Sequence, residues 1–230
     1  MRFTTSVIFL ALITVSLAGV SSAFAGGIGL GATRVIYPES ANQASLSVTN
    51  SDPHERYLIQ TWVEDQQGNK VRDFIVTPPL FASAPKSENT LRILYTSSPL
   101  PQDREKVYWM SVKAIPAIDK EAIKGKNTLQ LAILSRIKLF MRPDKLAMSK
   151  TEASRHLRFQ QSAGRLTITN PTPYYETLVN LTVAGKKLPN TMVSPRSQKT
   201  LTLPAGTTGS VRFQSVNDYG ALTSPQIGQP

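Results

Sequence analysis

The 230-residue chain contains no cysteine. That removes thiol nucleophiles, thiolate metal ligands and disulfides, so every domain must hold together through its own buried core. Histidine is nearly absent as well. His54 and His156 stand about a hundred residues apart in polar surroundings, which suits surface positions better than a catalytic base or a metal pair. Acid is scarce relative to base, with 15 Asp and Glu against 26 Lys and Arg and a net charge of +11. The basic residues never form a run of five, so the charge reads as a solvated surface rather than a groove for nucleic acid. No Gly-x-Ser-x-Gly elbow, histidine metal motif or nucleotide loop is present. Acidic groups such as Glu64-Asp65 and Asp103 to Glu105 suit turns and surfaces better than a glycosidase pair. An enzyme is therefore not expected, nor a cofactor, nor a metal.

One apolar stretch does occur, at the start. Met1-Arg2 leads into Val7 to Val20, and Ala23-Phe24-Ala25 ends it with the small-x-small pattern that signal peptidases cut. The order of charge, short apolar segment and small residues predicts a cleaved signal peptide over 1–25. The expected mature chain has 205 residues and a net charge of +10, since Arg2 is the one charge removed. It is expected outside the cytoplasm, with no membrane insertion. Asn180-Leu181-Thr182 matches a glycosylation acceptor, to which we attach no weight.

What the remainder has in quantity is alternation. Leu46 and Val48 alternate with serines, and Tyr57, Ile59, Thr61 and Val63 alternate with Leu58, Gln60, Trp62 and Glu64. Leu91, Ile93 and Tyr95, then Val107 to Ile115, continue the pattern. Leu166 to Thr169, Thr177 to Val183, Thr200 to Leu203 and Ser210 to Val216 repeat it later. Period two, interrupted by Pro, Gly and Asn, predicts antiparallel sandwiches. About seven strands before Arg142 and about six after Arg155 give an all-β chain of two immunoglobulin-like sandwiches, over 26–143 and 150–230. A short helix is expected between Ala147 and Leu157.

Residues 128–142 are unusual. Leu129, Leu131, Ile133, Ile137, Leu139 and Met141 occupy odd positions, interrupted by Ser135, while Gln130, Arg136, Lys138 and Arg142 occupy even ones. Such a run far exceeds an average strand of roughly 5–6 residues. Pattern alone leaves two readings open: one long core strand, or a strand whose early half is an exposed edge offered to another chain. Arg34 is the second oddity, a cation inside the first strand. Beside Lys138 it would form an anion site, but the sequence does not show whether they meet.

The ordered blocks Gly31 to Pro38, Tyr57 to Gln60, Phe74 to Phe81, Asn89 to Ile93, Leu100 to Glu105, 128–142, Asn170 to Tyr175 and Asn217 to Ala221 resemble those of the periplasmic pilus-chaperone family. These PapD-like proteins include a FimC-like type 1 fimbrial branch, which the chain resembles most. The likeness spans the mature chain, with no departure at the key positions. It implies two immunoglobulin-like domains meeting at an angle around a cleft that holds a pilin subunit. It also implies that Arg34 and Lys138 bind the subunit's C-terminal carboxylate, and that Leu129, Leu131 and Ile133 lie on a donated strand. Glu105, Arg142 and Asp218 would form an interdomain ion network, expected to be exposed and of modest stability. Delivery to an outer-membrane usher is implied too, with Phe74 to Phe81 a candidate contact. The short loop from Asp119 to Asn127 and the lack of cysteine resemble the branch that builds rod-like pili. A fibre component, the alternative, is expected to carry an N-terminal donor extension and an incomplete fold; neither is evident here.

Overall fold

A computed structural model describes residues 26–97, 101–117, 124–125, 127 and 129–230. The expected signal peptide and most of the loop from Asp119 to Asn127 lie outside the described residues.

The first unit is a sandwich of nine strands: β1 (Ile28–Leu30), β2 (Arg34–Pro38), β3 (Ala44–Asn50), β4 (Tyr57–Glu64), β5 (Phe74–Thr77), β6 (Leu80–Ser83), β7 (Ser87–Tyr95), β8 (Lys106–Pro116) and β9 (Ile133–Arg142). One sheet has the order β1-β3-β7-β5, the other β2-β9-β8-β4-β6. The alternation read from the sequence determines which side chains point inward. Leu46, Val48, Ile59, Val63, Leu91, Ile93, Met110, Leu139 and Met141 form one buried core between the sheets. Each such side chain contributes about 1.5–3 kcal/mol by leaving water. The chain changes sheets between β1 and β2 at Gly31, where a Cβ would lie 2.0 Å from Ser47 Oγ. Any larger residue there would have to displace the Ser47 hydroxyl.

The second unit holds β10 (Arg158–Ser162), β11 (Arg165–Asn170), β12 (Glu176–Val183), β13 (Lys186–Lys187), β14 (Thr191–Val193), β15 (Ser197–Thr202), β16 (Val211–Ser215) and β17 (Gln226–Ile227). β10-β11-β15 form one sheet; β13-β12-β16-β17 form the other, with β14 also paired to β12. Leu166, Ile168, Leu178, Leu181, Val183 and Phe213 fill the space between them. Ala184 and Gly185, both at positive φ, make the tight turn from β12 to β13. The expected helix is shorter than 147–157: one turn, Lys150–Ala153, capped by the Ser149 side chain, runs into a 3-10 turn at Ser154–His156.

Two differences from the sequence reading bear on function. The 128–142 run is not one strand, because β9 begins at Ile133. Its neighbour β8 stops at Pro116, which has no N–H to extend the ladder, and the last pair is Ala114 with Ile133. The Gln130 side chain donates to the Pro116 carbonyl instead, at 2.8 Å. Glu64 is not a surface acid either. It is buried, accepts from Trp62 Nε1, and pairs with Arg136 at 2.6 Å. Asp65 keeps the turn role, accepting the N–H groups of Gln67 and Asn69.

Candidate functional site

β2 and β9 run parallel, in a register that sets Arg34 opposite Lys138. Both side chains emerge on the outer face of their sheet, where the second sandwich packs. Arg34 NH1 donates to the Val216 carbonyl at 3.3 Å, and Lys138 Nζ donates to Thr177 Oγ1 at 3.1 Å. Neither cation forms an ion pair among the described residues. Arg34 Nε is buried with no hydrogen-bond partner among the described residues. Burial and the nearby Arg34 charge lower the Lys138 pKa to about 8. Burial also pulls Arg34 below its ordinary value, although the more distant Asp218, Glu105 and Glu176 oppose it. Two adjacent, partly buried cations, one with an unfilled Nε donor, have the charge and donors to hold an anion such as a carboxylate.

The same strand supplies an open edge. β2 pairs only from Lys138 to Arg142, so Ile133 to Ile137 have β8 on one side and no strand on the other among the described residues. Leu129, Leu131 and Ile133 are 84%, 67% and 53% exposed, whereas Leu139 and Met141 on the same alternation are buried. The apolar stripe thus leaves the core and continues into solvent beside a free ladder of backbone groups. This arrangement is a template for an added strand.

At the other end of β9 lies the ion network, and here the expectation of exposure is corrected. The Glu105 side chain is 1% exposed and that of Arg142 18%. Arg142 donates through Nε to Glu105 Oε1 at 2.7 Å, and through NH1 and NH2 to both Asp218 oxygens at 2.7 Å. Glu105 Oε2 accepts the Tyr175 N–H at 2.9 Å, and the Glu105 N–H donates to the Pro173 carbonyl. The guanidinium also lies over the Tyr174 ring. Burial works against charge here, yet Asp218 and Glu105 hold Arg142 firmly protonated. Docking of the second sandwich, through Tyr175 against Val107 and Phe140, removes these groups from water. The 217–221 loop that carries Asp218 comes so close that a Cβ at Gly220, already at positive φ, would lie 2.1 Å from Thr33 Oγ1. Thr177, Tyr174 and Tyr175 had no role in the sequence reading. The Asn170 to Tyr175 block was visible there, but its contacts form only when two units far apart in sequence meet.

Residues 27–147 match the family described as "Pili and flagellar-assembly chaperone, PapD N-terminal domain", and 152–227 match "Pili assembly chaperone PapD, C-terminal domain". The chain belongs to the PapD family of pilus-assembly chaperones. Among the PapD-family relatives, the probable fimbrial chaperone SfmC of Escherichia coli K12 is 53% identical over 199 residues, covering 86% of each chain. The chaperone protein FimC of the same strain is 52% identical over 203 residues, covering 88% of this chain and 84% of its own. A solved structure of the Salmonella enterica SafA pilin in complex with the SafB chaperone matches with a TM-score of 0.80. It is 32% identical and covers 91% of this chain and 99% of the matched one.

Proposed function

We propose that this chain is a periplasmic chaperone that binds pilus subunits by lending them a strand, keeps them from aggregating and delivers them to an outer-membrane usher. The observation that carries this reading is the cross-strand pair Arg34 and Lys138, without acidic partners, in line with the open edge of β9. The subunit's C-terminal carboxylate sits between the two cations. Its last strand pairs with Ile133 to Ile137, and Leu129, Leu131 and Ile133 enter the groove left by its missing strand. The carboxylate fixes register, the backbone ladder supplies affinity, and period-two pockets supply selectivity. The three aliphatic side chains contribute on the order of 1.5–3 kcal/mol each before ordering costs.

In this reading the N-terminal domain spans 26–143 and the C-terminal domain 150–230, with 1–25 removed on export. Glu105, Arg142 and Asp218 fix the angle between the domains. Ile75 and Leu80, the exposed large apolar side chains within Phe74 to Phe81, are the candidate contacts to an usher. Usher binding that survives alanine at both positions would remove them as contacts.

A pull-down from periplasmic extract tests the central claim. The mature chain is expected to bring down subunits of pilin size, and Arg34→Ala and Lys138→Ala are each expected to lose them while keeping the wild-type circular dichroism. Full retention by both folded variants would show that the two cations do not anchor the client.

A further inference from the structure

The C-terminal domain is charged almost entirely in one sense. From 150 to 230 the chain carries nine Lys and Arg but only Glu152, Glu176 and Asp218 as acids. Two of those acids are already occupied: Glu176 pairs with Lys150, and Asp218 with Arg142 of the other domain. Arg196 in turn pairs with Asp103 of the other domain at 3.1 Å. The other cations have one exposed acid of their own domain, Glu152, to offset them. Composition alone suggested a merely solvated surface; the pairing removes the counter-charges.

Some of these cations lie on the face that turns toward the cleft. Thr177, which accepts from Lys138, begins the outward-facing side of β12; Leu178, Leu181 and Val183 point inward to the core. Following the outward side along β12 leads past Val179 and Gln214 to a bulge between Val179 and Thr182, where Asn180 takes a positive φ. The Asn180 amide donates to Gln214 Oε1 at 2.8 Å. Beyond the bulge, Thr182 is flanked across the sheet by Lys187 on β13 and Arg212 on β16. Both are exposed, and neither has an acidic partner among the described residues. At about 3.3 Å per residue the two cations lie roughly 15 Å along the strand from Thr177. They are separated by two strand spacings, roughly 10 Å. Bulges of this kind re-aim side chains next to binding sites.

We propose that this face, from Thr177 through Asn180 and Gln214 to Lys187 and Arg212, is a second client-contacting surface that attracts an acidic flank of the pilus subunit. The inference rests on the cleft reading above and adds the charge of the partner. Continuity with Lys138 favours the subunit over a lipid headgroup layer, since one wall of a cleft between two domains does not lie flat on a bilayer. Two unpaired cations at the far end of the face that begins beside Lys138 raise the local concentration of an anionic partner and speed encounter more than they slow release.

The test compares the mature chain with Lys187→Glu/Arg212→Glu and Lys187→Gln/Arg212→Gln double variants. Both positions are exposed, so the variants are expected to fold. The probe is a subunit copurified with the wild-type chain, dissociated in denaturant and diluted into each chaperone. At about 0.02 M salt the charge reversal is expected to slow association roughly three- to tenfold, and the neutral pair less. Release should change little, and the difference should vanish near 0.5 M salt, where screening is complete within about 4 Å. Equal association rates at low salt would overturn the proposal. So would unchanged capture together with lost binding to phosphatidylglycerol vesicles, which would make the face a membrane surface. If the wild-type chain captures no subunit, the cleft reading itself fails, and Arg34→Ala and Lys138→Ala in the same assay separate that outcome from failure of this face alone.

Discussion

At the scale of single residues, the most informative group is Lys138. Its pKa of about 8, set by burial and by Arg34, gives two pH dependences of opposite sign. Carboxylate capture needs the ammonium form and is expected to hold between about pH 6 and 7.5, then to fall as Lys138 loses its proton. Stability of the free chain runs the other way. The unfolded chain keeps this proton up to the ordinary lysine value of 10.5, so between about 8 and 10.5 it binds more protons than the fold and stability rises with pH. Subunit capture and urea midpoints measured on the same samples check this; capture that stays level to about pH 9.5 would show that Lys138 is not the anchor. Both cations were visible in the sequence as charges within apolar alternation. Their adjacency was not, because it depends on a parallel pairing between residues 34 and 138 that no local pattern encodes.

At the scale of elements, strands with one wet and one dry face were legible from alternation alone. β3, β4 and β7 follow the alternation, since register follows from which side chains leave water, whereas β8 is buried on both faces over most of its length. The pattern overshot at β9. Leu129 and Leu131 keep the period, but a strand also needs a neighbour, and β8 ends at Pro116. The surplus alternation therefore lies outside the core, and the proposed reading gives it to a partner chain. Replacing Leu129, Leu131 and Ile133 together by serine should move the thermal midpoint of the free chain by no more than about 2 °C, as expected for exposed positions. The same triple variant should lose subunit capture in the pull-down. A drop of ten degrees would instead place these side chains in the core of the free protein.

At the scale of the whole molecule, the two sandwiches were legible as strand groups on either side of a polar joint, but their docking was not. The Glu105 to Arg142 to Asp218 network was expected to be exposed. Its burial arises because Tyr175, Val107 and Phe140 close over it, a long-range event with no signature in any one segment. Removing Glu105 leaves Arg142 Nε and the Tyr175 N–H without their acceptor, while Arg142 keeps its pair with Asp218. Glu105→Ala is therefore expected to cost about 1–3 kcal/mol, and urea unfolding should separate into two transitions as the domains uncouple. A single transition with an unchanged midpoint would mean the network adds nothing to docking. The alignment of the cation pair with the open edge of β9 has one more consequence. A client held at its terminal carboxylate is measured from its end, like cloth against a ruler. One extra residue there would turn every inward side chain of its last strand outward, so in the proposed reading the length of the client's tail counts as strictly as its composition.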